Sequence, residues 1–525
     1  MIPCAGTGRR VANEIGSINK ALFTLGNLPV IAHVIEMFPE NVPTVIILGY
    51  QAEMVEDSLR LLFPERQIEF VYVEIFEGPG SGLGKSLLTA KPKLNCPFVF
   101  SPNDCFPLET DFIYDLDPSV SGNWVAGATV ENLPEAAIAQ YRHLNVENDH
   151  LDVLWPKGKS ADAIYTGFCG ILDWNEFWKG LESEQDVNVG ESAGIRALSS
   201  VRVFRTNKWI DVGNIEMLNS AKRQFHTSDF NVLPKQDEAI WFRNKSVVKF
   251  FSDPNKIERR VQRLDFLPSR FVPENVVRNR YCYRYDFING DVLSKSKNVG
   301  DYIHVLDEMN QNVWNKNRKS SAGSTDLLIK FYRDKTFDRV NQFLISREFV
   351  DREECINGLK VPPVLERLKN IDWEKVTEQS LLAGYHGDFH KENIIFDSDS
   401  KSFKLIDWRE DFGGEFCIGD VYYDLAKFLH GLIVSHSFVH EEKYLAIRLQ
   451  NEYVIDIHRS FLFTEVESEF FHWLRANGYS EEKVKLITAL IFLNIAALHH
   501  DGYDLFLMLL GRYLLEKYSG DYFCD

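Results

Sequence analysis

Along the first 225 or so residues, the spacing of apolar positions switches repeatedly between two periods. Runs such as Thr44-Val45-Ile46-Ile47-Leu48-Gly49 and Pro97-Phe98-Val99-Phe100-Ser101 are short, apolar and β-rich, and they predict strands. Between them, 27–37 and 51–63 read as helices, with apolar residues three or four positions apart. Strands alternating with helices predict βαβ units and a mostly parallel, Rossmann-like sheet, with ligands collecting at the carboxyl ends of its strands.

Periodicity lapses over 227–236, which reads as a linker. Beyond it, 239–251 predicts a hairpin turning at Arg243-Asn244-Lys245, followed by a helix over 255–267 and a strand pair ending in 283–290. From Gly300 onward the pattern is mostly helical, with a polar, loop-like break at 317–324. The expected organisation is α/β: an N-terminal domain 1–226, a linker 227–236, and a bilobal C-terminal domain 237–525. The last has a small β lobe at about 237–299 and an α lobe at about 300–525.

A chain of 525 residues, 45% hydrophobic and 26% charged, has core material for two or three domains. Its net charge of -18 argues against a nucleic-acid partner, because phosphate backbones demand clustered Lys and Arg. Eight scattered cysteines, without a CxxC pair or zinc spacing, read as free thiols of a reducing compartment. No charged-then-apolar leader opens the chain, and the longest apolar stretch, 486–498, is too short to cross a bilayer and reads as a buried helix. A cytoplasmic protein without membrane insertion is expected. Its oligomeric state is left open.

Two segments carry chemistry. Toward the C-terminus, Tyr385-His386-Gly387-Asp388-Phe389-His390-Lys391-Glu392-Asn393 is followed, after one strand's worth of residues, by Leu405-Ile406-Asp407-Trp408. Asp388 suits the orientation of an acceptor hydroxyl, while Asn393 and Asp407 suit the magnesium of ATP. Lys249, on a strand, and Glu258, on the following helix, suit a pair that positions the α and β phosphates, with Glu274 or Asp253 as alternatives to Glu258. His386 and His390 read as local hydrogen-bond anchors. At the other end, Gly6-Thr7-Gly8-Arg9-Arg10 forms a glycine-rich loop whose N–H groups can face phosphate oxygens, and Arg10 and Lys20 add positive charge against a leaving pyrophosphate. Asp104, just past an apolar strand, suits a divalent cation, and Asp211 in Trp209-Ile210-Asp211-Val212-Gly213-Asn214 is a second carboxylate.

These N-terminal segments, with Asn19-Lys20-Ala21-Leu22 and Ser81-Gly82-Leu83-Gly84 in order, resemble the sugar-1-phosphate nucleotidyltransferase family over the whole first half. The resemblance implies Asp104 and Asp211 as metal ligands, Arg10 and Lys20 as phosphate grips, and Gly82 as a contact for the base. It implies an acceptor near Tyr165-Thr166-Gly167, with Lys157 or Lys159 on its phosphate. A GT-A glycosyltransferase shares this type of sheet, but Asn103-Asp104-Cys105 is not a DxD site.

The C-terminal motif, with Gly419-Asp420-Val421-Tyr422-Tyr423-Asp424-Leu425-Ala426-Lys427, resembles the aminoglycoside phosphotransferase and choline kinase family. Trp408 and Arg409 follow Asp407 in place of Phe-Gly, so small-molecule acceptors are implied rather than proteins. Aromatics around Phe470-Phe471-His472-Trp473 could cage a quaternary ammonium or simply lie in the core. Together the halves imply a bifunctional enzyme. One half phosphorylates a small hydroxyl, a sugar for preference, with ATP; the other joins the phosphate to a nucleotide from a second NTP, releasing pyrophosphate, for surface glycan or lipid synthesis. Mg2+ would serve both sites. The alternatives are choline or ethanolamine activation to a CDP-alcohol, or one half acting as a non-catalytic binding module.

Overall fold

The computed structural model describes residues 1–8, 18–108, 117–129, 138–157, 163–184, 186, 189–206, 209–213, 215–225, 237–316, 318, 323–499, 502–518, 520 and 522–523. Arg10, Lys159 and the linker 227–236 lie outside them. The chain forms two compact units, Met1–Ile257 with Val277–Tyr285, and Glu258–Val276 with Asp286–Asp525.

In the first unit, Thr44–Leu48 pairs in parallel with Ile2–Cys4 on one side and Ile68–Tyr72 on the other. Its unbroken apolar run is explained by cores on both faces. Ile46 and Leu48 pack with Val30, Ile31 and Val34 of the helix Val30–Glu36 and with Val55 and Leu59 of Ala52–Leu62, whereas Val45 and Ile47 join Leu87, Phe98 and Trp178. A six-stranded sheet runs in the order Phe98–Phe100, Ala163–Ile171, Trp124–Ala128, Arg202–Thr206, His150–Trp155, His143–Glu147. Only Trp124–Ala128 and Arg202–Thr206 pair in parallel there; its other pairings are antiparallel. A separate antiparallel ladder, Cys105–Pro107 with Trp209–Asp211, sets Asp211 opposite Cys105.

Glu238–Arg243 and Ser246–Phe251 form the expected hairpin, with left-handed Asn244 and Lys245 in a two-residue turn. With Cys282–Asp286 and Val277–Arg278 it makes a four-stranded sheet. The sequence reading gives this sheet to the C-terminal domain, yet Trp241, Val248 and Phe250 are buried in the core that holds Met54, Val55 and Leu59. Trp241 Nε1 donates to Thr24 Oγ1 at 2.9 Å, and Arg243 pairs with Glu36 at 2.9 Å and Glu65 at 2.5 Å.

The second unit is mostly helical. The apolar stretch near its end falls, up to Ala496, in the mostly buried helix Glu481–Ala496, which Ser480 caps by accepting from Lys483 N and which opens with Glu481 and Glu482; Leu498, beyond the helix, is exposed. Among the described residues no helix is long and apolar enough to cross a membrane. Asp291–Val292, Ile394–Phe396 and Phe403–Leu405 form a small antiparallel sheet, and a four-stranded sheet that the periodicity does not announce joins Leu359–Val361, Glu354–Ile356, Glu452–Ile457 and Tyr444–Leu449. Phe470 and Trp473 lie in the core: Phe470 packs near Phe428, and Trp473 donates to Asp307 Oδ1 at 2.8 Å. The seven described cysteines are free thiols.

Candidate active sites

In the first unit the ladder that sets Asp211 opposite Cys105 brings it beside Asp104, whose carbonyl accepts from Val212 N at 2.8 Å. Both carboxylates flank Gly213: a methyl built there would lie 2.9 Å from Asp211 Oδ1 and 3.1 Å from Asp104 Oδ2, so a larger residue would push the two carboxylates aside. Gly213 N–H donates to Asp211 Oδ1 at 2.5 Å, and the Tyr141 hydroxyl donates to Oδ2. Burial and the like charge of Asp104 raise the Asp211 carboxyl above its ordinary range, against the pull of these two bonds.

Lys20 reaches Asp104 Oδ2 at 2.5 Å. Its placement comes from Asn19, which is fully buried: the amide donates to Cys4 O at 3.0 Å and Tyr50 O at 2.7 Å and accepts from Ala21 N at 2.9 Å. One side chain thus ties the short helical turn bearing Lys20 to the carboxyl end of Ile2–Cys4 and to the residues after Thr44–Leu48. Asn19 and Tyr141 are the supporting residues that sequence reasoning did not single out. Asn19 lay within a quoted motif; nothing marked Tyr141, whose role comes from a contact 70 positions away.

Gly6 and Gly8 follow Ile2–Cys4, with Gly8 left-handed, and Gly82 precedes the short helix Leu83–Leu88. Tyr165 and Thr166 are buried, their hydroxyls donating to Gly167 O at 3.0 Å and Ala126 O at 3.1 Å. Gly167 is left-handed against Pro102. Lys157 is exposed, and its charge, with Arg142 and Tyr165, acts on the buried Glu191, whose carboxyl burial nevertheless raises. Glu191 also escaped the sequence reading.

In the second unit the loop bearing Asp388 is fixed by buried groups. Asp424 accepts from His386 N at 2.7 Å and Gly387 N at 2.6 Å, and Arg409 N donates to His386 O at 3.0 Å. His386 is a neutral anchor. Burial lowers it to about 3, its Nδ1 accepts from Asp388 N at 3.2 Å, and Nε2 then donates to Ile406 O at 3.0 Å. Asn393 donates to Asp388 O at 2.9 Å and Oδ2 at 3.3 Å, while Asn393 O accepts from Ile406 N at 2.9 Å. Asp388, Asn393 and the residue preceding Asp407 therefore form one bonded group. Asp407 has φ 59°, a left-handed conformation unusual for a residue with a side chain.

Lys427 Nζ lies 2.8 Å from Asp388 Oδ1, and His390 Nε2 lies 3.7 Å from Oδ2. Burial opposes ionisation, but these two cations outweigh it and hold the Asp388 carboxyl well below its ordinary range. The opposite charges of Asp388 and Glu392 likewise overcome burial and raise His390 to about 9. Glu258 is exposed and accepts from Gln262 at 3.4 Å. Two residues on, roughly 200° around the helix, Arg260 is buried and meets Asp407 Oδ1 at 3.5 Å. Lys249, in the first unit, is buried on its strand.

Residues 336–453, which contain Asp388, Asn393 and Asp407, match the phosphotransferase enzyme family. No curated protein matches the chain. Solved structures similar to the N-terminal part include HddC from Yersinia pseudotuberculosis (18% identity, 43% of this chain and 98% of that one, TM-score 0.34). The inositol-1-phosphate CTP transferase from T. maritima is another (14%, 43% and 92%, TM-score 0.36). A third is the UDP-glucose pyrophosphorylase from Acinetobacter baumannii (16%, 43% and 91%, TM-score 0.36). The family match thus covers part of the C-terminal half, the part that carries the Asp388 loop.

Proposed function

We propose that the chain is a bifunctional transferase: its C-terminal half phosphorylates a small hydroxyl acceptor, a sugar for preference, with ATP, and its N-terminal half transfers a nucleotidyl group from an NTP to the resulting phosphate. The observation that carries the first activity is the bonded group of Asp388, Asn393 and the strand leading to Asp407, inside the residues that match the phosphotransferase family. Asp388, ionised well below neutrality, accepts a hydrogen bond from the acceptor hydroxyl and takes its proton as the oxygen attacks the γ-phosphorus and the bond from that phosphorus to the bridging oxygen breaks, releasing ADP. His386, Asp424 and Asn393 hold the loop so that the carboxylate needs no reorganisation.

In the N-terminal half, the phosphate oxygen attacks the α-phosphorus and the bond to pyrophosphate breaks. Lys20, held by Asn19, sets an ammonium where charge develops on the leaving group. Both donor sets suit Mg2+. Asn393 and Asp407 offer hard oxygens, and the mutual repulsion of Asp104 and Asp211 is a charge excess that a divalent cation offsets. Magnesium, when bound, neutralises phosphate charge at each site. Arg10 and Lys159 as phosphate contacts, Lys249 in nucleotide binding and Gly82 beside the base belong to the same proposal, as does a role in surface glycan or lipid synthesis.

Activation of choline or ethanolamine is weakened as a reading because Phe470 and Trp473 are core residues. The test is purified protein with ATP, each of CTP, UTP, GTP and dTTP, and a panel of sugars, sugar phosphates and amino alcohols. ADP release reports the first activity and pyrophosphate release the second. Lack of pyrophosphate with every pairing sinks the nucleotidyl half, and lack of acceptor-dependent ADP sinks the kinase half.

A further inference from the structure

The second unit gathers cations that the Asp388 loop does not itself contain. The helix Lys335–Ser346 begins directly after the π-helical turn Lys330–Asp334, an irregularity that recurs at functional sites. A cavity of about 690 Å³ opens there, lined by Lys330, Arg333, Lys335 and Arg339 together with Asp326, Asp334 and Asp338. Such a volume suits a small-molecule site.

Lys335 lines this cavity, and its ammonium lies 4.5 Å from the Phe331 ring centroid and 6.0 Å from that of Tyr423. Among the described residues no carboxylate forms an ion pair with it. The Phe331 ring also carries Arg409, 5.3 Å from its centroid. Arg409 backs onto the Asp388 loop: a methyl on Gly387 would lie 2.5 Å from Arg409 Cβ. Lys427, one helical turn after Tyr423, completes the circuit at Asp388 Oδ1. Burial lowers the Lys335 ammonium well below its ordinary range, and Arg409, Lys427 and Arg339 lower it further, while Glu410 opposes them. Aromatic faces attract a cation without neutralising it. Lys335, Arg409 and Lys427 act on one another as like charges, so a further cation among them, such as that of an amino alcohol, is disfavoured.

We infer that the hydroxyl acceptor of the C-terminal half carries a carboxylate or phosphate group, bound by Lys335 with Arg409 and Lys427. The inference rests on the kinase reading above and narrows its substrate class. An anionic group seated there offsets the desolvation and repulsion that disfavour the Lys335 ammonium, and the resulting ion pair both selects the anionic molecule and holds its hydroxyl against Asp388.

The test uses the full-length protein in two arms. In the first, ATP is supplied with a hexuronic acid, a hexose monophosphate, the neutral hexose and an amino alcohol, and ADP is followed. One of the two anionic acceptors should exceed the neutral one by about tenfold or more in kcat/KM, corresponding to one charge-assisted contact; which of the two wins separates carboxylate from phosphate. Lys335→Gln should raise the KM of that acceptor by about tenfold while the KM of ATP stays within about twofold, and Lys335→Arg should recover part of the loss. Preference for the neutral or amino acceptor, or a shift in the KM of ATP instead, overturns the inference and leaves the kinase intact.

The second arm needs no turnover. Trace acylation of Lys335, read by peptide mass spectrometry, should slow about threefold or more when inorganic phosphate or a hexuronate is added at constant ionic strength. Lack of protection overturns the inference whatever the first arm shows. Silence of every acceptor with protection retained counts against the kinase reading alone.

Discussion

Lys427 and His390 divide the Asp388 carboxylate between them, the ammonium 2.8 Å from Oδ1 and the imidazole 3.7 Å from Oδ2. Both oppose the desolvation that the surrounding protein imposes on the half-buried carboxylate, and together they keep it ionised far below neutral pH. Replacing Lys427 with Met removes the nearer cation and leaves burial unopposed on that side. The acid limb of the phosphotransfer pH profile should move to higher pH, and the rate should fall by on the order of 10²-fold. Lys427→Arg should restore the limb. ADP release measured from pH 5 to pH 9 checks this, and an unmoved limb in Lys427→Met would remove Lys427 from the account.

His390 gives a prediction of opposite sign in pH. Its value rises from 6.5 unfolded to about 9 folded, so its ion pairs with Asp388 and Glu392 contribute stability that is fully present below pH 6.5 and lost as pH rises through 9. The contribution is at most about 3 kcal/mol, from a shift of this size in a coupled site. Denaturant midpoints of the C-terminal transition should therefore decline between pH 6.5 and pH 9.5, and His390→Gln should flatten that decline. Equal slopes in the two proteins would refute the assignment.

How far the sequence discloses these sites depends on whether each contact is local. Asp388, Asn393 and Asp407 are legible because the loop that joins them is continuous, and strands such as Thr44–Leu48 are legible because burial on both faces leaves an unbroken apolar run. Asn19, Tyr141, Asp424 and Lys427 serve their sites through partners 15 to 70 positions away, and one chain offers no signal for such pairs. Glu258 illustrates a different limit. Its spacing from Lys249 suits a phosphate-positioning pair, but helix phase turns it to solvent and presents Arg260 to Asp407.

In the N-terminal site, catalysis and stability should oppose one another. Asp211 is raised above its unfolded value by burial and by Asp104, so at neutral pH the ionised pair is repulsive in the absence of cation. Asp211→Asn keeps an acceptor for Gly213 N–H and removes the repulsion. It should abolish pyrophosphate release yet stabilise the metal-free protein at pH 7 by up to about 1 kcal/mol. Because a raised carboxyl favours the folded state only while protonated, that gain should shrink as pH falls toward 3.8. Calorimetry of both proteins in chelator at pH 7 and pH 4 measures it. Destabilisation of the variant at pH 7 would contradict the like-charge pair.

Separating the two activities by cutting the chain is expected to fail at the position that sequence periodicity suggests. A break in 227–236 detaches Trp241, Val248 and Phe250 from a core they share with Val55 and Leu59, and it strips Arg243 from Glu36 and Glu65. An N-terminal fragment 1–226 should expose that apolar surface and aggregate, whereas one extended through residue 285 should remain folded. Within the intact chain, Trp241→Ala should destabilise the first unit by about 3–5 kcal/mol, the range for deleting a fully buried aromatic side chain. Limited proteolysis and nucleotide binding on the two fragments distinguish the cases. A soluble, nucleotide-binding 1–226 fragment would show that the sheet of 238–286 stabilises the C-terminal half and is dispensable to the N-terminal one.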